Sequence, residues 1–189
     1  MVTELPDDIR ELHEQLEAAA RDAKLLVAGL SEERGMRRPD SGGWSVSECL
    51  DHLATGNRVY LDEMQEPANR ARARGDYRRS PAKPGWIGRF FISSLEPPPK
   101  WWSKLKAPRK IRPRVTPPLA ETFDAFESSH ANVFAFLHAN ADLDLAAIRF
   151  PNPFVRGVRF SLATGLHVIM AHERRHLLQA WQVRRMFEA

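Results

Sequence analysis

Cysteine is nearly absent from this chain of 189 residues, and long apolar runs are missing altogether. Cys49 is the only cysteine, which excludes an internal disulfide and favours a reducing cytoplasm. No run approaches the ~18 apolar residues that a membrane-spanning helix needs. Residues 1–9 are acidic and polar and lack the basic and apolar regions of a signal peptide. These absences predict a cytoplasmic protein without a membrane partner.

Period-two alternation, which is typical of half-buried strands, is also missing. Four stretches instead carry apolar residues at the spacing of one helix face. Their starts are, in chain order, Leu5, Ser45, Thr116 and Ser161. The run from Ile148 to Phe160 contains two prolines and a glycine and is interpreted as a connection. The pattern predicts an all-α fold, a four-helix bundle, and the length suits a single domain over residues 1–189.

Acidic residues are scarce between the second and third predicted helices. From Arg70 to Arg114 there are fourteen Lys and Arg against two acids, whereas the remaining 144 residues carry a net charge of −8. The high isoelectric point therefore belongs to one segment and does not describe the whole surface.

The basic strap, defined as residues 75–115, also contains seven prolines and three tryptophans, Trp86, Trp101 and Trp102. A structureless loop of this length would be unusual. We therefore expect a short helix near Trp86 to Leu95 and an extended, proline-stiffened path that packs over the bundle. Its charge suits an anionic small-molecule substrate. Contact with nucleic acid is the less favoured alternative, because no recognised binding motif accompanies the arginines and aromatics.

Two histidines four residues apart, His172 and His176, lie on one face of the fourth predicted helix. Counting ~100° per residue places both beside its apolar stripe, so they point into or along the edge of the bundle. The best third candidate is His52 on the flank of the second helix. Three inward imidazoles with open positions are the arrangement of catalytic zinc sites.

The motif Trp-Ser-x-x-Glu-x-x-x-His at residues 44–52, followed by His-x-x-x-His-x-x-Gln at residues 172–179, resembles the DinB-like (YfiT-like) family of metalloenzymes. The resemblance implies a four-helix bundle with a divalent ion, zinc or nickel, on His52, His172 and His176. Relatives in that family include bacillithiol and mycothiol S-transferases and a mycothiol-dependent isomerase. A low-molecular-weight thiol is therefore a further expected cofactor, and thiol transfer or hydrolysis is the expected reaction. The long strap departs from the compact family pattern.

Four further residues are assigned to the surroundings of the metal or to the substrate pocket: Trp44, Glu48, Glu173 and Gln179. Glu48 is expected to form a capping box with Ser45 rather than to bind metal. Trp44 is a packing anchor or a pocket wall, and Gln179 is a candidate hydrogen-bond partner of a ligand or of bound water.

Other interpretations of the motif remain open. His-Glu-x-x-His is also the zincin motif with Glu173 as general base, but the downstream positions carry Gln179 and Gln182 instead of a ligand. A metal-stabilised scaffold without catalysis is a second alternative. Trp181 is expected to be exposed and, with the strap, favours a homodimer. No catalytic group is assigned beyond the metal-bound water or thiol.

Overall fold

A computed structural model describes residues 5–97 and 107–188 of the chain. Its helices within these ranges are α1 (Asp7–Val27), α2 (Glu32–Met36), α3 (Val46–Arg74), α4 (Trp86–Leu95), α5 (Leu119–Ala139) and α6 (Leu162–Met186). The four long helices correspond to the four predicted stretches, so the expected all-α bundle is confirmed. Helix α3 packs against α5 and α6, and α1 packs against α6 and α5. None of the helices in the described ranges has the length and hydropathy to cross a bilayer.

The apolar core is divided into two clusters along the bundle axis. One cluster contains Ile9, Met64 and Leu166, and the other contains Leu26, Leu53 and Leu177. Between them lies a layer of buried polar side chains: Asn57, Ser129, His130 and Glu173. Asn57 donates to Ser129 and Glu173, and Glu173 lies at hydrogen-bond distance from His130, so this layer joins the three helices that supply it.

Helix α3 begins as predicted and continues further. Ser45 accepts a hydrogen bond from the Glu48 amide at 3.2 Å, and the Glu48 carboxylate accepts one from the Ser45 amide at 3.0 Å. This reciprocal capping box confirms the predicted start. The helix passes through Pro67 and ends at Gly75, whose φ of 70° is the left-handed conformation that favours glycine.

The predicted start of the third helix was wrong by a few residues. Helix α5 begins at Leu119, and Thr116 provides no side-chain cap. The carboxylate of Glu32 in α2 accepts hydrogen bonds from the amides of Leu119 and Ala120 instead. Because this cap comes from a helix more than 80 residues earlier in the chain, the local sequence did not reveal it.

Two short strands also correct the sequence interpretation. Strands β1 (Arg149–Pro151) and β2 (Arg159–Ser161) form an antiparallel pair within the run interpreted as a connection. Phe150 and Phe160 are opposite each other and buried, while Arg149 and Arg159 are exposed. Strands of three residues are too short to show an alternation pattern, which explains the missed prediction.

The basic strap contains the predicted short helix, which is α4 with the expected bounds. Helix α4 packs on α6, and a 3-10 turn at Arg109–Ile111 packs on α3. Arg114 then attaches the strap to α3, since its amide donates to Asp51 at 2.8 Å and its guanidinium donates at 2.7 and 2.9 Å. Trp101 and Trp102 of the strap lie outside the described residues.

Trp181 differs from the expectation of an exposed side chain. It is partly buried against the second apolar cluster, and its indole N–H donates to Asp22 at 2.8 Å. Trp181 therefore gives no support to the expected homodimer, which stays a prediction.

We expect Asp51→Ala to release the C-terminal end of the strap, because Arg114 loses the buried carboxylate that binds both its amide and its guanidinium. Hydrogen–deuterium exchange of residues 107–116 should accelerate by about tenfold or more, as expected for a locally opened segment. Arg112→Ala is the matched control, because Arg112 is exposed and bonds only to the Ala107 carbonyl within the strap. Equal exchange in Asp51→Ala and the native protein would contradict this attachment.

Candidate metal centre

Three imidazoles converge between the first half of α3 and the middle of α6. Ring nitrogens of His52, His172 and His176 all lie within 4.8 Å of one another. The ring centroids are 4.5 Å apart for His52 and His176, and 4.7 Å apart for the other two pairs. The structure therefore brings together the three residues that the sequence selected as metal ligands.

The close approach of α3 and α6 depends on Gly56. A β-carbon built on Gly56 would lie 3.0 Å from Cε1 and 3.3 Å from Nδ1 of His172. Both distances are tighter than ordinary contacts, so a side chain at position 56 would displace the imidazole. Glycine at position 56 gives the His172 imidazole of α6 the space to reach His52, which lies on α3 like Gly56.

Two hydrogen bonds orient the outer rings. His52 Nδ1 donates to the carbonyl of Ile111, and His176 Nδ1 donates to Gln179 Oε1 at 2.9 Å. Each bond places the ring proton on Nδ1 and leaves the Nε2 lone pair free, as is typical of metal-binding histidines. Gln179 thus contacts one of the predicted ligands, and its role in orienting that ligand at a metal stays a prediction.

The third ring is oriented by the first. His172 Nε2 lies 2.8 Å from His52 Nε2. Because the Ile111 carbonyl can only accept, His52 carries its proton on Nδ1, and His172 must donate from Nε2 in the metal-free protein. Metal binding at that nitrogen would therefore release a proton or move it to Nδ1.

Burial keeps all three imidazoles neutral. It lowers the pKa of His52, despite the opposing effects of the Ile111 carbonyl and Asp51. Burial and the neighbouring His52 lower the pKa of His176 to about 3. The pKa of His172 is well below its ordinary value because of burial, the two other histidines and Arg175. Neutral imidazole is the form that binds a metal.

Trp44 forms one wall of the site. Its ring centroid is 4.6 Å from that of His52 and 5.6 Å from that of His176. Of the two roles considered for Trp44, these contacts favour the pocket wall.

Glu48 is engaged away from the metal centre. Its buried carboxylate accepts from Arg38 Nε at 2.8 and 3.0 Å in addition to the Ser45 amide. Burial alone would raise the pKa of Glu48, but the bonds from Arg38 and Ser45 outweigh it and lower the pKa. The sequence predicted the capping role but not Arg38.

Glu173 lies in the buried polar layer and not in a solvent-accessible pocket. It is fully buried, and its Oε1 accepts from Asn57 Nδ2 at 2.8 Å and lies 3.1 Å from His130 Nδ1. Burial opposes protonation of His130, but the bond to Glu173 outweighs it and raises the His130 pKa. Glu173 and His130 therefore form a buried pair that joins α6 to α5.

Several neighbours of the centre were not found from the sequence. The Ile111 carbonyl is a backbone group that any residue supplies, and no sequence signal marks it. Gly56 gives a sequence signal, because a glycine inside a helix points to close packing.

Cys49, one turn before His52, is buried in the core as its residue type predicts, and burial raises the pKa of its thiol far above the ordinary range. It is therefore an inert core residue.

We expect Gly56→Ala to weaken metal binding without removing a ligand. The new methyl group displaces His172, so the dissociation constant for Zn²⁺ should rise by about tenfold to 100-fold, the range for lost support of a ligand. Competition with a chromophoric chelator measures this constant. Thr55→Ala on the same helix is the control and should bind Zn²⁺ as the native protein does. Native affinity in Gly56→Ala would show that His172 does not bind the metal.

We expect the metal-free protein to lose stability as the pH falls from 7 to 5. The three histidines have folded pKa values below the unfolded value of about 6.5, so the unfolded chain binds more protons below that pH. The contribution of these histidines to the free energy of unfolding is present above pH ~6.5 and is lost as the pH falls below it. The raised pKa of His130 stabilises the folded protein as the pH falls. This stabilisation is fully present below pH ~6.5, so it adds no pH dependence between pH 6.5 and 5.

Urea unfolding at several pH values measures this dependence. The double variant His172→Asn/His176→Asn should show a much flatter profile between pH 6.5 and 5 than the native protein. The same slope in both proteins would assign the acid sensitivity to other groups.

Comparison with known proteins supports the same architecture. The family sequence model of the DinB superfamily matches residues 15–180 of this chain. A search of curated proteins finds no match. Among solved structures the fold is similar to that of YfiT from Bacillus subtilis, described as a probable metal-dependent hydrolase with an unusual four-helix bundle topology. The TM-score is 0.57 with 16% identity, over 100% of this chain and 93% of that one. Because the family model covers most of the sequence, the chain belongs to the DinB superfamily.

Proposed function

We propose that this protein is a metal-dependent transferase that joins an anionic low-molecular-weight thiol to an electrophilic carbon. The observation that carries the proposal is the convergence of three neutral imidazoles, His52, His172 and His176, within 4.8 Å. Zinc or nickel suits such nitrogen donors. The reaction forms a carbon–sulfur bond, the carbon loses its leaving group, and the thiol proton passes to solvent.

The donor set fits a divalent ion. Two of the three rings have their protons held on Nδ1 by the Ile111 carbonyl and Gln179, so their Nε2 lone pairs are available. The low pKa values keep the rings unprotonated at neutral pH. A divalent ion bound by three neutral ligands would keep its charge and lower the pKa of a bound thiol or water.

The carboxylates nearest in sequence to these histidines are all engaged elsewhere. Glu48 binds Arg38 and the start of α3, Asp51 binds Arg114, and Glu173 binds Asn57 and His130. Glu48 and Asp51 are thus unavailable as general bases, and Glu173, whose Oε2 has no hydrogen-bond partner among the described residues, is fully buried. This favours a nucleophile that ionises readily without one, and a thiol with a pKa of about 8.5 meets that condition better than water.

The strap supplies positive charge beside the centre. Ile111, whose carbonyl accepts from His52, is preceded by Arg109 and Lys110 and followed by Arg112. The side chains of these three basic residues are exposed. A carboxylated thiol approaching the histidines would therefore meet a favourable potential.

Hydrolysis is the second candidate, because the similar YfiT structure is described as a probable metal-dependent hydrolase. Water would then take the place of the thiol, and the same three histidines would hold the ion. A metal-stabilised scaffold without turnover is the third possibility and predicts metal binding with no activity towards either class of substrate.

We expect the purified protein to bind about one divalent ion per chain and to conjugate a carboxylated thiol to an aryl chloride, with release of chloride. His52→Ala should lose the metal and therefore melt at a lower temperature than the metal-loaded native protein. It should also reduce the conjugation rate by about 100-fold or more, because the ion stabilises the transition state by several kcal/mol. Elemental analysis and thiol-adduct formation are the two measurements.

Glu173→Gln is the matched test of the hydrolytic alternative. It keeps the size of the side chain, so metal content and most conjugation should remain, with some loss of stability from the changed bond to His130. If Glu173→Gln instead abolishes an esterase or peptidase activity while no thiol adduct forms in the native protein, Glu173 is a general base. The thiol-transfer proposal would then be wrong.

A further inference from the structure

A basic cleft lies at the opposite end of α3 from the metal centre. It has a volume of about 420 Å³ and is lined by the end of α3, the start of the strap and the β1–β2 pair. Its arginines are Arg70, Arg74, Arg79, Arg149 and Arg159. Ligand sites in proteins span roughly 300–1,000 Å³, so the cleft has the size of a small-molecule site.

The cleft is too far from the histidines for its arginines to contact a substrate atom that the three histidines also contact. Arg70 follows His52 by 18 residues on the continuous helix α3, which corresponds to about 27 Å at 1.5 Å per residue. The basic strap begins at this end of the bundle, and its Ile111 carbonyl contacts His52 at the metal centre. Of the five arginines of the cleft, Arg79 belongs to the strap, whereas the other four come from α3 and the β1–β2 pair.

Two of the five arginines are neutralised by neighbours. Arg74 pairs with Asp76 at 2.7 Å, and Arg70 pairs with Glu66 at 3.1 Å. Among the ion pairs of residues 5–97 and 107–188, none includes Arg79, Arg149 or Arg159. With Glu66 and Asp76 engaged in these pairs, the three remaining arginines face one further lining carboxylate, Asp144, which leaves an excess of two positive charges.

Two of the arginines without an ion pair, Arg149 and Arg159, lie on the β1–β2 pair, which packs against the core. Arg149 and Arg159 project from the exposed face of β1 and β2, whose other face buries Phe150 and Phe160 in the core. Arg159 Nη2 also donates to the Arg149 carbonyl at 3.1 Å. On the facing wall, the Asp144 amide donates to the Asp76 carbonyl at 3.0 Å, which fixes the start of the strap.

The remaining lining residues limit the chemistry of a ligand. Asp144 is buried in the cleft and accepts from Ser80 Oγ at 3.2 Å, so the ligand must place its negative charge towards the arginines and away from this carboxylate. Tyr77 is 53% exposed and offers an aromatic face for an organic group. Guanidinium groups bind phosphate oxygens in pairs, which makes arginine the preferred residue for phosphate recognition.

We propose that this cleft binds a small phosphorylated molecule with two linked phosphoryl groups, and that Arg79, Arg149 and Arg159 hold the phosphates. The three arginines without an ion pair provide donors for the oxygens of two linked phosphoryl groups, and the positive excess attracts such an anion. The compact shape, in contrast to an extended basic stripe, favours a small molecule over a nucleic-acid strand. The site is independent of the metal and of the proposed thiol transfer.

Titration calorimetry with inorganic diphosphate at low ionic strength tests this proposal. The native protein should bind about one diphosphate per chain, and added salt should weaken binding because the arginines are exposed. Arg149→Ala/Arg159→Ala should weaken binding by about tenfold or more. The control Arg21→Ala/Lys24→Ala also removes two exposed positive charges, but from α1 outside the cleft, and should bind as the native protein does.

Diphosphate also chelates metals, so the metal-free variant His172→Ala/His176→Ala is titrated in parallel. Native-like binding by that variant supports the cleft, whereas loss of binding there assigns the diphosphate to the metal centre and overturns the proposal. Absence of binding to the native protein, or equal weakening in the α1 control, also overturns it. Tighter arginine-dependent binding of a single-stranded oligonucleotide or of anionic lipid vesicles would replace the small molecule by a macromolecular surface.

Discussion

The contact between α3 and α6 at Gly56 is the constraint on which the metal centre depends. His172 occupies the space that a side chain at position 56 would fill, and this brings its ring to hydrogen-bonding distance of His52. The next residue on each helix reinforces the contact, because Asn57 donates to Glu173 inside the core. The Asn57–Glu173 hydrogen bond in the core and the His52–His172 contact at the metal centre therefore both hold α3 against α6.

The buried polar layer explains why this register is firm. Moving α6 along α3 by one turn would leave Glu173 without Asn57 and His130, and breaking a buried ionic pair costs about 3–5 kcal/mol. An apolar interface of leucines would tolerate such a shift more easily, because one leucine replaces another. The specificity of the helix packing and the geometry of the site thus come from adjacent residues on the same turn.

The fold was predictable from the sequence where one helix face or one local motif determines it. The stripes of the four long helices, the capping box of Ser45 and Glu48, and the helix Trp86–Leu95 all depend on residues close in sequence. The Glu32 cap on α5 was missed because its two partners are far apart in sequence, and the β1–β2 pair was missed because strands of three residues show no alternation. Helix periodicity placed His52, His172 and His176 on or beside inward faces, and the family resemblance implied that they share one ion. The burial of Glu173 with His130 required the packed structure.

The hydrogen bond from His52 to the carbonyl of Ile111 has a consequence for how related sequences should be compared. A ligand oriented by a carboxylate side chain leaves a recognisable residue in the sequence, but a backbone carbonyl does not. The side chain at position 111 is buried here, so another apolar residue could replace it as long as the strap follows the same path over α3. Relatives with unrelated strap sequences can therefore share this support of the metal ligand, and only a comparison of backbone paths would reveal it.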